Sequence, residues 1–217
     1  MRRGIVVLAA AALLASPACT GSSEPEGETA PGPRDAIAVW PEDTIAPLER
    51  ARDRVEDGED PWRLEAGTTA EEFARAVLGW PRPMIGDAQR EGSTESVVVE
   101  RETGGPAVRV TLAQILAPLW SVVSANGEGE SHRPAISVRG QNAEITTGIE
   151  PFASATVTVA HGDQTVTEEV PPSGEVRLAL GAEPETSGHV LILYLDEAGE
   201  VASVFASPLP AGDTAAG

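Results

Sequence analysis

The chain has 217 residues, of which 34 are acidic and 15 are basic, and its formal net charge at pH 7 is −19. Such a charge repels phosphate backbones and anionic lipid headgroups, which argues against nucleic-acid binding and against electrostatic attachment to a membrane. The hydrophobic content of 41% is ordinary for a globular protein, so a buried core is expected.

Residues 1–18 have the three parts of a secretory signal peptide. Arg2 and Arg3 provide positive charge, residues 4–15 form an apolar run, and 16–18 are small residues suited to cleavage. The apolar run is shorter than the roughly 20 residues that a permanent membrane-spanning helix needs. The sequence therefore predicts a cleaved signal peptide and an exported protein.

Cys19 is the single cysteine and directly follows the cleavage region, so it has no partner for an internal disulfide. Residues 14–19 resemble the lipobox of bacterial lipoproteins, with Pro17 as a departure from the pattern. The resemblance implies that Cys19 carries lipid and anchors the protein to the extracytoplasmic face of the cell membrane, and two acyl chains give stable anchoring. The alternative is ordinary signal cleavage that leaves a free thiol.

Two segments lack the apolar residues that a core requires. Residues 20–34 contain no aliphatic residue larger than Ala and are rich in Gly, Ser, Pro and Glu. Such a segment buries too little surface to offset its ordering entropy. We therefore predict a lipidated disordered tether over 19–34 and a disordered tail over 211–217.

Residues 35–127 mix helical and strand patterns, which predicts an α+β domain. Thr44 is placed to cap a helix over 44–56. Thr68 or Thr69, followed three residues later by Glu71 or Glu72, fits a capping box. The residues that follow are apolar at helical spacing, with Gly79 at the expected end. Strands are predicted over 96–101, 107–115 and 119–124, the first two joined by a hairpin turn at 103–105.

A polar, glycine-rich stretch at 126–133 separates this pattern from the next, and we place a linker at 128–134. Beyond it the hydrophobic period is two, which indicates half-buried strands. Residues 190–195 are apolar at every position and predict a central strand covered on both faces. Seven short strands over 135–210 favour an immunoglobulin-like β-sandwich. They are predicted at 135–139, 143–147, 154–160, 164–170, 175–180, 189–195 and 200–206.

Residues 135–209 resemble the immunoglobulin-like domains of bacterial envelope proteins, including those that accompany sporulation and germination modules. The stretches 151–159 and 187–191 carry this resemblance. The first domain resembles uncharacterised modules that precede such domains in actinobacterial secreted proteins. It shares their marks Trp40-Pro41, Pro61-Trp62, Leu78-Gly79 and Trp120-Ser121-Val122. Together these resemblances imply an extracytoplasmic, non-catalytic architecture.

The sequence contains no known catalytic signature: no nucleophile elbow, Walker loop, HExxH motif or dinucleotide fingerprint. His132, His161 and His189 are too widely spaced for a typical zinc site, so we expect them on the solvated surface. The acidic turns at 57–60 and 196–200 lack the alternating ligands of a dedicated calcium loop. We predict no catalytic residues, no metal and no cofactor.

The four tryptophans all lie in the first predicted domain, and three of them adjoin a proline. Exposed together, they would form a platform for sugar rings or a protein partner. Buried, they would complete the edge of a small core, which is the interpretation we favour. The residues concerned are Trp40, Trp62, Trp80 and Trp120.

These patterns favour a non-enzymatic cell-envelope lipoprotein that presents a binding or scaffolding surface to an envelope protein or glycan. One alternative is an enzyme acting on cell-wall glycan through paired carboxylates such as Glu71, Glu72 or Glu100. Another is a small-ligand capture protein, which would need an apolar pocket between the two predicted domains.

Overall fold

The computed structural model describes residues 38–42, 45–128, 133–161, 164–171, 173–180 and 188–210. The predicted signal peptide, Cys19, the tether, the tail and His132 lie outside these residues. The described part is mostly β-structure with two α-helices, α1 (Ile45–Glu56) and α2 (Ala66–Ala76), and a 3₁₀ helix at Pro61–Leu64. Its strands are β1 (Met84–Glu91), β2 (Thr94–Glu100), β3 (Ala107–Leu116), β4 (Leu119–Gly127), β5 (Ala135–Arg139), β6 (Asn142–Thr146), β7 (Ser154–His161), β8 (Gln164–Glu169), β9 (Glu175–Ala179), β10 (Gly188–Leu195) and β11 (Val201–Pro208).

The strands form one large and one small antiparallel sheet. The large sheet has eight strands in the order β1-β2-β3-β4-β11-β10-β7-β8, and the small sheet has the order β5-β6-β9. Helix α2 packs against β2, β3 and β4 and forms one hydrophobic core with them. The small sheet packs against β7 and β10 and forms a second core. The large sheet therefore has two differently covered regions.

Helix α2 forms because its apolar residues recur on one face. Ala70, Phe73 and Ala74 are buried against Val97 and Val110 of the sheet. The predicted capping box is wrong, because the helix begins at Ala66, with Glu65 at the N-cap position. Inside the first turns the Thr68 and Thr69 hydroxyls instead donate hydrogen bonds to backbone carbonyls, including that of Glu65.

Strand β1 was not predicted from the sequence. It pairs with β2 at the outer edge of the large sheet, and all eight of its side chains are exposed. A strand that faces water on both sides is not expected to alternate apolar with polar residues. The hydrophobic period therefore gave no signal over Met84–Glu91.

All seven strands predicted beyond the linker are present, with ends within two residues of the predicted ones. Strand β10 lies between β7 and β11, as expected of a central strand. Val190, Ile192 and Tyr194 face the core beneath the small sheet. The intervening leucines pack against the core beneath α2, so both faces of β10 are covered.

The large sheet contains strands from both sides of the predicted linker. Strand β4 pairs with β11 at Ala125↔Ala206 and Asn126↔Phe205. Strand β4 also extends to Gly127, and Glu128 forms an ion pair with Arg109, so the described start of the polar stretch is structured. A division into two folding units at 128–134 stays a prediction, which fragment or two-probe unfolding experiments would test.

Candidate functional site

The structure separates the four tryptophans into two classes. Trp80 and Trp120 are core residues, with 1% and 3% of their surfaces exposed. Trp40 and Trp62 are half-buried and lie against each other. A surface platform of all four residues is therefore not formed, and the indole surface that solvent can reach belongs to Trp40 and Trp62.

Trp40 is held in place by backbone pairing with the large sheet. The Val122 amide donates to the Trp40 carbonyl at 2.9 Å, and the Val39 amide donates to the Val122 carbonyl at 2.6 Å. Its ring meets Phe73 of α2 edge-to-face, with centroids 5.9 Å apart. Trp40 is thus anchored to the core beneath it, while part of its ring remains open.

Trp62 is positioned by the end of α1 and the start of α2. Gly58 (φ 85°) and Glu59 donate to the carbonyls of Val55 and Arg54, the two hydrogen bonds of a Schellman motif, which ends α1. The 3₁₀ helix follows at once. The hydroxyls of Thr68 and Thr69 then donate to the Trp62 carbonyl at 2.7 and 3.0 Å.

The two half-buried rings form one bent aromatic surface. The Trp40 and Trp62 centroids are 5.4 Å apart, and their planes are inclined by 31°. The guanidinium carbon of Arg63 lies 5.6 Å from the Trp62 centroid, within cation–π range. Aromatic area held by this geometry gives affinity at little further cost in conformational entropy.

A chain of four charged side chains runs beside the rings. Asp60 pairs with Arg54 at 3.3 Å, Arg54 approaches Glu42 at 3.7 Å, and Glu42 pairs with Arg63 at 2.7 Å. Their formal charges sum to zero. We refer to these residues with the two rings as the tryptophan site: Trp40, Glu42, Arg54, Asp60, Trp62 and Arg63.

Arg63 is the least ordinary member of the tryptophan site because none of its surface is exposed. Apart from the ion contact with Glu42, its three side-chain nitrogens make no hydrogen bond within the described part of the chain. A buried guanidinium without acceptors is costly, and native structures keep such groups rarely. Asp60 adds backbone strain, since its φ of 49° is unusual for a non-glycine residue. Strain and unmet hydrogen bonds concentrate at functional sites.

Sequence reasoning found the two rings of this site but missed its four charged residues. Glu42, Arg54 and Arg63 come from separate segments, and in a chain with 34 acidic residues a single carboxylate does not stand out. The available signal was the sequence Asp60-Pro61-Trp62-Arg63, in which a charged residue flanks each side of the Pro-Trp pair.

A cavity of about 580 Å³ lies where the end of α2 meets the turn between β10 and β11. Its walls include Leu78, Trp80, Arg82, Arg101 and Val201. The Trp80 indole N–H donates to the Val201 carbonyl at 2.9 Å, which ties the two sides of the cavity together. We call this space the junction cavity, and its size is within the range of small-molecule sites.

The turn beside the junction cavity is ordered by Asp196. The amides of Ala198 and Glu200 both donate to its Oδ1 at 2.9 Å, and Arg101 donates to Oδ2 at 3.3 Å. The hydrogen bond from the Glu200 amide is the main cause that holds the pKa of Asp196 below its ordinary value, and Arg101 adds to it. This carboxylate is therefore engaged in ordering the turn.

His161 differs from its predicted placement. His161 was expected on the solvated surface but is buried, with 4% of its surface exposed, because it ends a strand covered by its neighbours. The sheet register places it opposite Gly188, next to His189. In the described residues no three side chains of His, Cys, Asp or Glu converge as metal ligands would.

The carboxylates named for the enzyme alternative lie on α2 and at the end of β2. Glu71 and Glu72 both form ion pairs with Arg75 on the outer surface of α2. Glu100 ends β2, opposite Met84 and Ala107 in the sheet register.

Comparison of the chain with models of known protein families, with characterised proteins and with solved structures finds no match. Within the described ranges, no helix has the length and hydrophobicity to span a membrane.

Proposed function

We propose that this protein is a non-enzymatic, lipid-anchored protein of the bacterial cell envelope that binds an envelope component through the tryptophan site. The observation that carries the proposal is the half-exposed pair of Trp40 and Trp62, held 5.4 Å apart over a buried ion pair. The signal-peptide pattern and Cys19 support the location.

The geometry of the site supports recognition in preference to catalysis. Trp40 is anchored by a sheet bridge and Trp62 by two threonine hydroxyls, so both rings are pre-organised before a ligand arrives. Pre-organisation lowers the entropy cost of binding. The carboxylates nearest the rings, those of Glu42 and Asp60, are each paired with an arginine, which suits hydrogen bonding to a ligand better than proton transfer.

We further propose that the two differently covered regions correspond to an α+β unit and an immunoglobulin-like sandwich. Helix α2 on β2–β4 supports the first. For the second, the support is a three-stranded sheet packed against a layer that contains β7, β8, β10 and β11, which gives seven strands in two layers.

The junction cavity favours a second candidate function, the capture of a small ligand. It is lined by residues from both sides of the predicted linker, which is the position that this alternative requires. Apolar surface from Val77 and Pro81 is combined with Arg82 and Arg101, so an amphipathic molecule is the class of ligand that fits.

The first test concerns location. Cys19→Ala removes the sulfur that would carry lipid, so the protein should move from the membrane fraction into the medium, and radioactive fatty acid should no longer label it. A Cys19→Ala protein that remains in the membrane fraction and is still labelled would show that the lipid-anchor proposal is wrong.

The second test concerns recognition and uses the Cys19→Ala protein, so that lipid insertion does not contribute. Its binding to isolated cell envelopes is measured by co-sedimentation. Trp62→Ala should reduce binding by about tenfold, the effect expected from losing one aromatic contact. Leu64→Ala, at an apolar residue of the same 3₁₀ helix that is more exposed than Trp62, should bind as the parent does. Equal binding by both variants would contradict the assignment of the site.

A further inference from the structure

We propose that the ligand of the tryptophan site is a neutral glycan chain whose pyranose rings stack on Trp62 and Trp40. This inference rests on the proposed function, because it takes the site to be a recognition surface. It adds the chemical class of the ligand, which follows from the shape, the polar neighbours and the charge of the site.

The shape of the aromatic surface suits a sugar chain. Two indoles at 5.4 Å, inclined by 31°, present neighbouring facets and not a closed stack. A pyranose has a flat face of C–H bonds that packs on the electron-rich face of an indole, while its hydroxyls remain at the edge. Successive sugar rings of a chain can thus lie on successive facets.

Groups that pair with sugar hydroxyls lie beside the rings. Arg54 and Asp60 are partly exposed and paired with each other, and Glu42 retains some exposure between Arg54 and Arg63. Carboxylates and guanidinium groups make strong, often two-pronged hydrogen bonds with neighbouring hydroxyls. The tryptophan site therefore combines apolar stacking with donors and acceptors at its border.

Arg63 holds one of these acceptors, the Glu42 carboxylate, in place. Its guanidinium is fully buried, 2.7 Å from Glu42 and beside the Trp62 ring. A carboxylate fixed in this way offers its remaining lone pairs in one direction without a loss of side-chain freedom on binding. We assign Arg63 as a positioning residue that acts through Glu42.

The charges of the site favour a neutral glycan over two other ligands. The four charged residues sum to zero, and the chain as a whole carries −19, so a polyanionic glycan would be repelled. A protein partner is disfavoured because Asp and Glu are depleted from the centres of protein interfaces, whereas here Glu42 and Asp60 belong to the site.

The test titrates the purified full-length chain in detergent with two neutral probes, chitohexaose and maltohexaose, and one anionic probe, polygalacturonate. Tryptophan fluorescence and calorimetry measure binding. We expect saturable binding of at least one neutral hexasaccharide, nearly independent of salt, and no binding of polygalacturonate. Fluorescence should respond because Trp40 and Trp62 are partly exposed, while Trp80 and Trp120 are buried.

Three variants distinguish the roles of the residues. Trp62→Ala should raise the Kd about tenfold through the loss of one stacking face. Arg63→Met should raise the Kd by a similar factor while leaving Trp62 fluorescence quenchable by acrylamide, as expected of a positioning role. Leu64→Ala is the matched control. Because a 3₁₀ helix has three residues per turn, the Leu64 side chain, two positions after Trp62, points in a different direction from the Trp62 ring. Circular dichroism and thermal midpoints establish that each variant is folded.

The glycan inference is wrong if neither hexasaccharide binds, if Trp62→Ala binds as the parent does, or if polygalacturonate is the preferred ligand at low salt. Failure of the proposed function looks different. If Trp62→Ala loses binding to cell envelopes while both hexasaccharides fail to bind, the recognition surface stands and the ligand class is wrong. If envelope binding is also unaffected, the recognition surface itself is wrong.

Discussion

The two regions of the large sheet are covered by different kinds of structure. Where the small sheet covers β7 and β10, alternate residues of the two strands form the core. On the opposite face β7 carries threonines, whereas the leucines of β10 pack against the core beneath α2. Where α2 covers β2 to β4, Trp40 also packs against the core, and Trp62 of the 3₁₀ helix lies against Trp40. This cover is less regular than a second sheet, and it is here that Arg63 is buried with the Glu42 carboxylate as its ion-pair partner.

The irregularly covered region is where a binding site is expected. Regular sheet-on-sheet packing satisfies its backbone and buries its side chains in a repeating way, so it leaves little that needs a ligand. Loops placed on a rigid scaffold carry binding residues disproportionately often. The tryptophan site is built from residues 40–42, helix α1 and the segment 60–63 that contains the start of the 3₁₀ helix, and the scaffold beneath it is the sheet that both regions share.

The largest effect is expected where the two regions meet. Trp80→Ala removes a core side chain that is also hydrogen-bonded to Val201, and it should lower the free energy of unfolding by about 3–5 kcal/mol. Because the sheet is continuous, we expect both regions to lose this stability together. Fluorescence of the remaining tryptophans reports on one region, and ¹⁹F resonance of fluorotyrosine at Tyr194, the single tyrosine, reports on the other.

Coincident denaturation midpoints for the two probes, both moved by Trp80→Ala, would establish one cooperative unit. A shifted tryptophan transition with an unmoved Tyr194 transition would show the opposite, namely that the chain divides near residue 128 into units that unfold separately.

The second effect concerns the buried ion pair. Glu42→Gln leaves the Arg63 charge buried without its counter-charge, which should cost about 3 kcal/mol. The matched control is Glu128→Gln, because Glu128 lies 2.7 Å from Arg109, the same separation as in the Glu42–Arg63 pair, but is about one-third exposed. That variant should cost less than about 1 kcal/mol. Equal losses, measured by chemical denaturation, would contradict the claim that burial distinguishes the two pairs.

The share of the secondary structure that can be predicted from the sequence also differs between the two regions. Strands β5, β6, β7, β9 and β11 follow from alternation, since each has buried residues between more exposed ones. Strand β1 does not, because neither of its faces is buried. Helix α2 was predicted by its apolar spacing, but its start was misplaced because Thr68 and Thr69 donate to carbonyls instead of capping the helix.

The tryptophan site was predictable only in part. The scarcity of aromatic residues draws attention to Trp40 and Trp62, but nothing local in the sequence brings Glu42 to Arg63. That contact depends on how the segment before α1 crosses β4, which is a tertiary arrangement. Residues whose role depends on long-range packing carry no periodic signal.

The third effect is confined to the region beneath the small sheet. Burial raises the pKa of Tyr194 above its ordinary value of 10.0, although its hydrogen bond with Thr147 opposes the shift. Folding therefore favours the neutral phenol of Tyr194. The stability that this preference contributes is complete below pH 10 and is lost as pH rises through the folded-state pKa. Because the chain has no lysine, Tyr194 is the side chain expected to titrate in that range.

Tyrosinate absorbance at alkaline pH reports on Tyr194 alone, and its midpoint should lie above that of the unfolded chain. Tyr194→Phe should cost about 1 kcal/mol at neutral pH, for the lost hydrogen bond to Thr147, and should remove the decline of stability above pH 10. An unchanged alkaline decline in that variant would show that another group is responsible.

The smallest effect on stability is expected at the outer edges of the large sheet, β1 and β8. Within the described residues the exposed large hydrophobic side chains are those of Leu64, Met84 and Ile85, two of which belong to β1. An exposed sheet edge with apolar residues promotes pairing with other chains. Ile85→Lys should change the free energy of unfolding by less than about 0.5 kcal/mol, because the side chain is already 42% exposed, and it should raise solubility in concentrated solution.

Thr167→Lys adds the same charge to the exposed strand β8 and controls for net charge. Light scattering of the two variants decides between the causes: equal gains in solubility would assign the effect to charge, whereas a gain confined to Ile85→Lys would identify β1 as the edge through which the protein self-associates.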